Sequence, residues 1–329
     1  ADSEDRHRNR IRARLGLTAK VNDEWDLGFR VATGNGEVSG DPISTNQTLD
    51  EAFSKKPLWL DQAFFGYHPQ WFKGFNAIGG KMENPFYKVG KNELIWDSDL
   101  TPEGVAFTYG LPLGEQTTLN LAAGGFWVNE ESSGGDTSLW GIQGHLKHQI
   151  DKPTYVLGGV GLFDYGNIQG QESLADEWND DEDAFFGNTS AAGNVYAYDY
   201  DLFELFAEFG TEVAKLPMAV FGDFVKNTVG GDEDTGWLLG FQVNKAKDPG
   251  TWQFEYDYRD IERDAVVGQF SGSDFVVGGA GGEGHRFAFT YMVAKNVATG
   301  LTYYMDEFDR PGVEGEKYDR FQVDLGIKF

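Results

Sequence analysis

The connections between strand-like segments constrain this chain more than any other feature. Fifteen segments predict β-strands, at 6–20, 24–34, 57–68, 74–83, 103–110, 117–128, 138–148, 154–165, 202–214, 217–227, 236–245, 251–259, 285–294, 298–306 and 318–329. The seven short connections are 21–23, 69–73, 111–116, 149–153, 215–216, 246–250 and 295–297. The seven long ones are 35–56, 84–102, 129–137, 166–201, 228–235, 260–284 and 307–317, and the two kinds alternate strictly. A stacked sandwich has no reason to separate its turns this way. A transmembrane barrel does, because tight turns gather at one membrane face and long loops at the other.

The strands carry the period that a barrel wall needs. Trp252, Phe254, Tyr256 and Tyr258 alternate with Gln253, Glu255, Asp257 and Arg259, and Phe287, Phe289 and Tyr291 alternate with Ala288 and Thr290. Period two gives each strand one apolar and one polar face. In the last strand Phe321, Val323, Leu325, Ile327 and Phe329 share one parity. Such a strand also suits a soluble β-sandwich, and the loop pattern is what favours the barrel. Trp25, Trp59, Trp71, Trp127, Trp237, Trp252, Tyr318 and Phe329 lie at strand ends, where aromatic girdles meet the two membrane interfaces.

Composition narrows the class further. No stretch approaches about 18 consecutive apolar residues, so a membrane helix is not predicted. The mean hydropathy of -0.44 says nothing against a barrel, whose alternating strands average out. The chain has no Cys, which removes disulfides and thiolate-held metals. A net charge of -26 argues against a nucleic-acid partner. The expected architecture is a single all-β barrel domain over 1–329. With the last strand ending at the short-turn face, counting back starts strand 6–20 at the long-loop face. An even strand number then predicts a sixteenth strand upstream of Ala1.

Several phrases carry a resemblance. His7-Arg8-Asn9-Arg10-Ile11-Arg12-Ala13-Arg14-Leu15-Gly16, Phe29-Arg30-Val31-Ala32-Thr33-Gly34, Ser44-Thr45-Asn46-Gln47-Thr48, Leu60-Asp61-Gln62-Ala63-Phe64, Gly80-Lys81-Met82-Glu83-Asn84-Pro85-Phe86 and Ile95-Trp96-Asp97 look like the putative porin family of Gram-negative outer membranes. That family is distantly similar to phosphate-selective O/P-type porins. The resemblance implies a sixteen-stranded barrel in the bacterial outer membrane, usually a homotrimer. It also marks Phe321 to Phe329 as the signal read by the barrel-assembly machinery. In general porins the third extracellular loop folds inward, and the resemblance assigns 84–102 that constricting role.

The sharpest candidate residues are Arg6, Arg8, Arg10, Arg12 and Arg14. Spacing of two places them on one strand face, with Arg30 on the neighbouring strand. An arginine facing lipid near mid-membrane costs about 2–4 kcal/mol, so the ladder is expected to face the lumen. A strand edge protected by charge is the plainer alternative. Glu93, Asp97 and Asp99 in loop 84–102, and Glu204 and Glu208 in strand 202–214, are the expected acidic counterparts. Loop 166–201 holds Asp176, Glu177, Asp180, Asp181, Glu182 and Asp183, which reads as a solvated acidic loop without an EF-hand spacing. His145 and His148 are a weak candidate metal pair.

No nucleophile motif, phosphate-cradling loop or zinc pattern is recognisable, so neither catalysis nor a cofactor is expected. The expected function is passive diffusion of small hydrophilic solutes and ions through a water-filled lumen within the lipid bilayer. An anion- or phosphate-selective channel is the nearer alternative. A barrel enzyme or a soluble β-sandwich binding module is the alternative from another class.

Overall fold

The computed structural model describes residues 6–36, 40–130, 135–174 and 184–329. Fifteen strands form one continuous antiparallel sheet. They are β1 (Arg14–Lys20), β2 (Trp25–Thr33), β3 (Leu58–Tyr67), β4 (Phe75–Lys81), β5 (Glu103–Pro112), β6 (Thr117–Asn129), β7 (Thr137–Gln149) and β8 (Tyr155–Gly166). Then come β9 (Tyr200–Val213), β10 (Leu216–Asn227), β11 (Thr235–Val243), β12 (Trp252–Ile261), β13 (Gly282–Ala294), β14 (Val297–Phe308) and β15 (Lys317–Ile327). Each strand pairs with its neighbours in sequence, so the whole sheet is an up-and-down meander.

Fourteen of the fifteen expected strands are found with boundaries shifted by three residues at most. The first is the exception. Of segment 6–20 only β1 joins the sheet, and Arg10–Ile11 pairs instead with Gln47–Thr48 in the loop after β2. The amide of Leu49 donates to the Asn9 carbonyl at 2.8 Å, which fixes that detour. The arginine series is therefore not one continuous wall strand.

The turns at one end are tight. Ala214 and Lys215 both take positive φ, 52° and 68°, and close β9 onto β10 in two residues. Consecutive positive φ values match the strand twist that a two-residue hairpin requires. Residues 295–296 join β13 to β14 as briefly. The opposite end carries the long connections 34–57, 82–102, 167–199 and 262–281. Within 167–199, Ser190–Ala191 pairs with Val195–Tyr196, and the carboxylates Asp176 to Asp183 lie outside the described residues.

The sheet curls until its ends face each other. Arg320 on β15 is an electrostatic neighbour of both Arg8 and Arg10, which precede β1. β1 and β15 both run from the long-loop end to the short-turn end. Leu27, Leu205, Leu239 and Val323 are exposed along the outer surface, on the parity the sequence predicted, and Phe65 and Ile142 join them from strands whose pattern alone was ambiguous. No helix among the described residues is long and apolar enough to cross a membrane. Trp25, Trp71, Trp127 and Trp237 are exposed as expected of girdle residues, but Trp59 donates its indole N–H to the Gly34 carbonyl at 3.2 Å. It packs on the loop after β2, because Leu58 and Leu60 take the outward parity.

The buried core lies inside the curl. Phe86 and Trp96 from the 82–102 loop pack edge-to-face on Phe163 of β8, with ring centroids 4.8 and 5.2 Å away. Phe275 and Val276 from the 262–281 loop join the same core. Burying each such side chain contributes roughly 1.5–3 kcal/mol. That gain is what draws two long loops into the barrel instead of leaving them in solvent.

Candidate functional site

The 82–102 loop crosses the interior. It leaves the wall between β4 and β5 and reaches β9 and β10 on the far side. The Gly90 amide donates to Glu208 on β9 at 3.3 Å, and the Asn92 amide donates to Asp223 on β10 at 2.8 Å. Gly90 has φ 57° and lies flat on the Phe221 ring, where any Cβ would collide. Glycine is required there on both counts. Gln143 on β7 clamps the loop from the side, accepting from the Tyr87 amide at 2.7 Å and donating to the Tyr87 carbonyl at 3.0 Å. Its amide nitrogen also reaches Glu204 at 2.8 Å.

A second loop meets it. The Asp97 amide donates to the Phe270 carbonyl at 2.7 Å, and the Ser273 amide donates to the Asp97 carboxylate at 2.9 Å. Gly272 and the Ser271 hydroxyl close the contact on the carbonyls of Glu93 and Leu94. Burial pushes the Asp97 carboxyl well above its ordinary range, and the nearby Glu93 adds to that shift. Lys88 is shifted down, chiefly by burial. Its ammonium donates to the Trp96 carbonyl at 3.3 Å.

The third corner is Asp99. It pairs with Arg14 at close contact and with Arg12 at 3.4 Å, and accepts from the Thr45 amide at 3.1 Å. Burial works to raise the Asp99 carboxyl, but Arg12, Arg14 and these hydrogen bonds outweigh it and hold it below its ordinary value. Asp99 thereby ties three elements together: the 82–102 loop, the loop after β2, and the chain entering β1.

The predicted residues therefore separate into groups. Arg12 and Arg14 touch Asp99 directly, with no open gap between the two signs. Arg30 pairs with Asp61 and lies 3.5 Å from Glu83. Arg6, Arg8 and Arg10 form no ion pair among the described residues. Asp97 is buried in the contact between the two loops, and Glu204 is buried beneath the 82–102 loop. Glu208 also accepts from the Tyr155 hydroxyl. Glu93 accepts from the Ser98 amide at 2.9 Å. His145 packs on Tyr87 on the inner side, while His148 bonds Thr117 at 2.8 Å, and a spacing of three puts the two rings on opposite strand faces.

Sequence reasoning missed a second charged patch on β12, β13 and β15. Asp257 bridges Arg259 at 2.7 Å and Arg286 at 2.6 Å, and Arg320 pairs with Asp274. The signal was present, because these arginines interrupt strands on the inward parity. It also missed the infolding of 262–281. Ala265-Val266-Val267 and Phe275-Val276-Val277 are apolar runs in a stretch otherwise read as a solvent loop.

A family model described as "Putative porin" matches residues 1–200 and 195–329. The chain belongs to that porin family. No curated protein matches it by sequence. Among solved structures, OmpF of Salmonella typhi in complex with daunomycin is similar with a TM-score of 0.56 at 11% identity, over 100% of this chain and 93% of that one. OprB of Pseudomonas putida gives 0.57 at 10% identity, over 97% and 87%. Wzi of Escherichia coli, a carbohydrate-binding outer-membrane β-barrel, gives 0.58 at 11% identity, over 96% and 71%. At such identities the likeness is one of fold. The porin is a β-barrel channel of the bacterial outer membrane, so its long loops are extracellular and its short turns periplasmic.

Proposed function

We propose that this porin passes small hydrophilic solutes and ions by passive diffusion, with weak ion preference, through a lumen narrowed by the 82–102 loop. The observation that carries the reading is the pairing of charge inside the barrel. Arg12 and Arg14 share Asp99, Arg30 takes Asp61, Arg259 and Arg286 share Asp257, and Arg320 takes Asp274. Paired charges leave small net fields, so neither ion sign gains strongly. Arg6, Arg8 and Arg10 are the residual basic steps of the ladder, and Glu93 and Glu208 the residual acidic ones. Reversal potential across a planar bilayer with a salt gradient tests this. A permeability ratio near unity is expected.

An anion-selective channel is the second reading, favoured by one observation. Arg8 and Arg10 lie beside Arg320, and among the described residues no carboxylate is in ion-pair contact with either of them. Near-exclusive anion passage, with phosphate block, would establish that reading over the first.

Assembly follows the same logic. The porin forms a homotrimer, in which the outer part of the loop after β2 contacts a neighbour. Leu49 and Phe53 are exposed there, whereas Thr45 and Gln47 are tucked inward and buried. Phe321, Val323, Leu325 and Ile327 on the exposed outer face of β15, with Phe329 just past its end, are presented to the barrel-assembly machinery. A monomeric mass in mild detergent, or normal assembly after removal of Phe329, would argue against these two assignments in turn.

A further inference from the structure

A hollow of about 550 Å³ opens on the inner wall just below the 82–102 loop. Its size falls within the roughly 300–1,000 Å³ of small-molecule sites. The walls come from the inward parity of β4 to β7 and from the loop itself. Asn76, Thr108, Asn120, Gln143, His145 and Tyr87 are the side chains that matter. None carries a fixed charge, in contrast to the arginine–carboxylate wall across the barrel.

Three of these groups are unspent. Asn120 and His145 are direct cross-strand partners on β6 and β7. Among the described residues the Asn120 amide, the His145 ring and the Tyr87 hydroxyl make no hydrogen bond to the protein. The remaining polar groups are committed. Asn76 donates to Thr108 at 3.0 Å and is held by His68 at 2.9 Å, and Gln143 is used in clamping the loop. The Tyr87 ring stands 4.5 Å from His145 and 5.8 Å from Phe206, centroid to centroid, which fixes its orientation. Charges at the edge are already engaged. Glu208 accepts from Tyr155, and the Lys147 ammonium sits 4.3 Å over the Tyr155 ring.

We infer that this hollow is a subsite for an uncharged, hydroxyl-rich ring, a sugar-like solute, on its way through the lumen. A rigid aromatic face accepts the C–H side of such a ring, and unpaired amide and imidazole groups accept and donate to its hydroxyls. A permanent ion of either sign gains little there, because none of the six side chains is charged and the two charges at the edge, Glu208 and Lys147, are of opposite sign. An apolar solute would leave the Asn120 amide and His145 ring unsatisfied, which is unfavourable. The assignment rests on the channel reading for the route by which the solute arrives.

The test uses maltose added to the periplasmic-face compartment of a planar bilayer holding the intact porin. Maltose is expected to interrupt the ion current in a concentration-dependent way, more strongly than a polyethylene glycol of equal mass. With current normalised to each variant's own open level, Asn120→Ala is expected to raise the half-blocking concentration about tenfold, as loss of ~1.4 kcal/mol requires. Tyr87→Leu is expected to do the same, and Tyr87→Phe, which keeps the ring and the loop contact, to do so less. Equal block by maltose and the polymer, or unchanged block in all three variants, overturns the subsite. If the porin carries no ion current, the channel reading fails separately, and calorimetric titration of maltose into the detergent-solubilised porin decides the subsite alone. Binding heat that is lost in Asn120→Ala supports it, and no binding heat overturns it.

Discussion

Two sectors of the inner wall are built on opposite principles. From β12 round through β15 and β1 to β3, the inward positions carry arginines held by carboxylates. From β4 to β7 the side chains that line the hollow are amides, a hydroxyl and an imidazole without fixed charge, and Lys147 is the charge at its edge. Both sectors are amphipathic strands of the same kind, and their outer faces are equally apolar. The difference shows that the barrel's fold requires only polarity inside. Which polarity is free to vary, and so it can be spent on solute preference. Charge on one side needs partners to be tolerated, and those partners rigidify the wall. Neutral groups on the other side can stay unpaired facing water and wait for a ligand.

Breaking the charged sector should have the largest effect. Arg259 is only 4% exposed and Arg286 17%, and Asp257 is the carboxylate they share. Asp257→Ala leaves two guanidiniums without it. Removing one partner of a buried pair typically costs about 3–5 kcal/mol. The expected outcome is a marked drop in the temperature at which the folded barrel loses its heat-modifiable mobility on a gel, with Asp257→Asn intermediate. A variant melting with the parent would mean that water reaches these arginines.

The loop that divides the sectors comes next. Asn92→Ala deletes the donor to buried Asp223, and leaving a buried acceptor unpaired costs ~1–3 kcal/mol. Docking of the 82–102 loop should loosen, and single-channel records should show higher mean conductance with more open-state noise. Unaltered records would show that Gly90 and Gln143 hold the loop without Asn92.

Acidity should act on the same loop at its other end. Asp97 is shifted up by burial and by Glu93, and Asp41 is raised to about 6 by burial and by Asp99. A carboxyl whose value is higher in the docked state binds a proton more readily there than when undocked. Docking is thus favoured at low pH and loses that contribution as pH rises from about 4 through the raised values. Asp99 has the opposite sign, but its contribution is present in full above its unshifted value of 3.8 and fades only below it. Channel noise should therefore rise between pH 4.5 and 7.5, and Asp97→Asn should flatten the trend. A trend that survives in Asp97→Asn would transfer it to Asp41.

The smallest expected effect separates unpaired from paired arginines. Arg8→Gln with Arg10→Gln removes charges that have no ion-pair partner among the described residues, while Arg12→Gln removes one already opposed by Asp99. A unit charge about 8 Å from a permeating ion in water contributes roughly 0.5 kcal/mol. The double variant should shift the reversal potential toward cations by about a twofold permeability ratio. The Arg12 variant should shift it less. Equal shifts would mean that Asp99 does not neutralise its partners.

Sequence alone determined the wall of this protein. Strand faces follow from a period of two, and the sorting of short turns from long loops follows from residue counts, so neither needs a distant contact. Trp252 to Arg259 declares its orientation without any neighbour, and the pairing order follows because each strand meets the next one made. Tertiary structure decided what fills the barrel. Nothing local to Asn92 names Asp223 as its partner, 131 residues away, and nothing local to Asp97 names Ser273, 176 away. The detour of Arg10–Ile11 to Gln47–Thr48 is of the same kind, since its alternating pattern reads as wall strand. Burial of Trp96, Phe275 and their neighbours against the inner wall is a non-local gain. It appears only once the sheet has curved and brought opposite strands within reach of one loop.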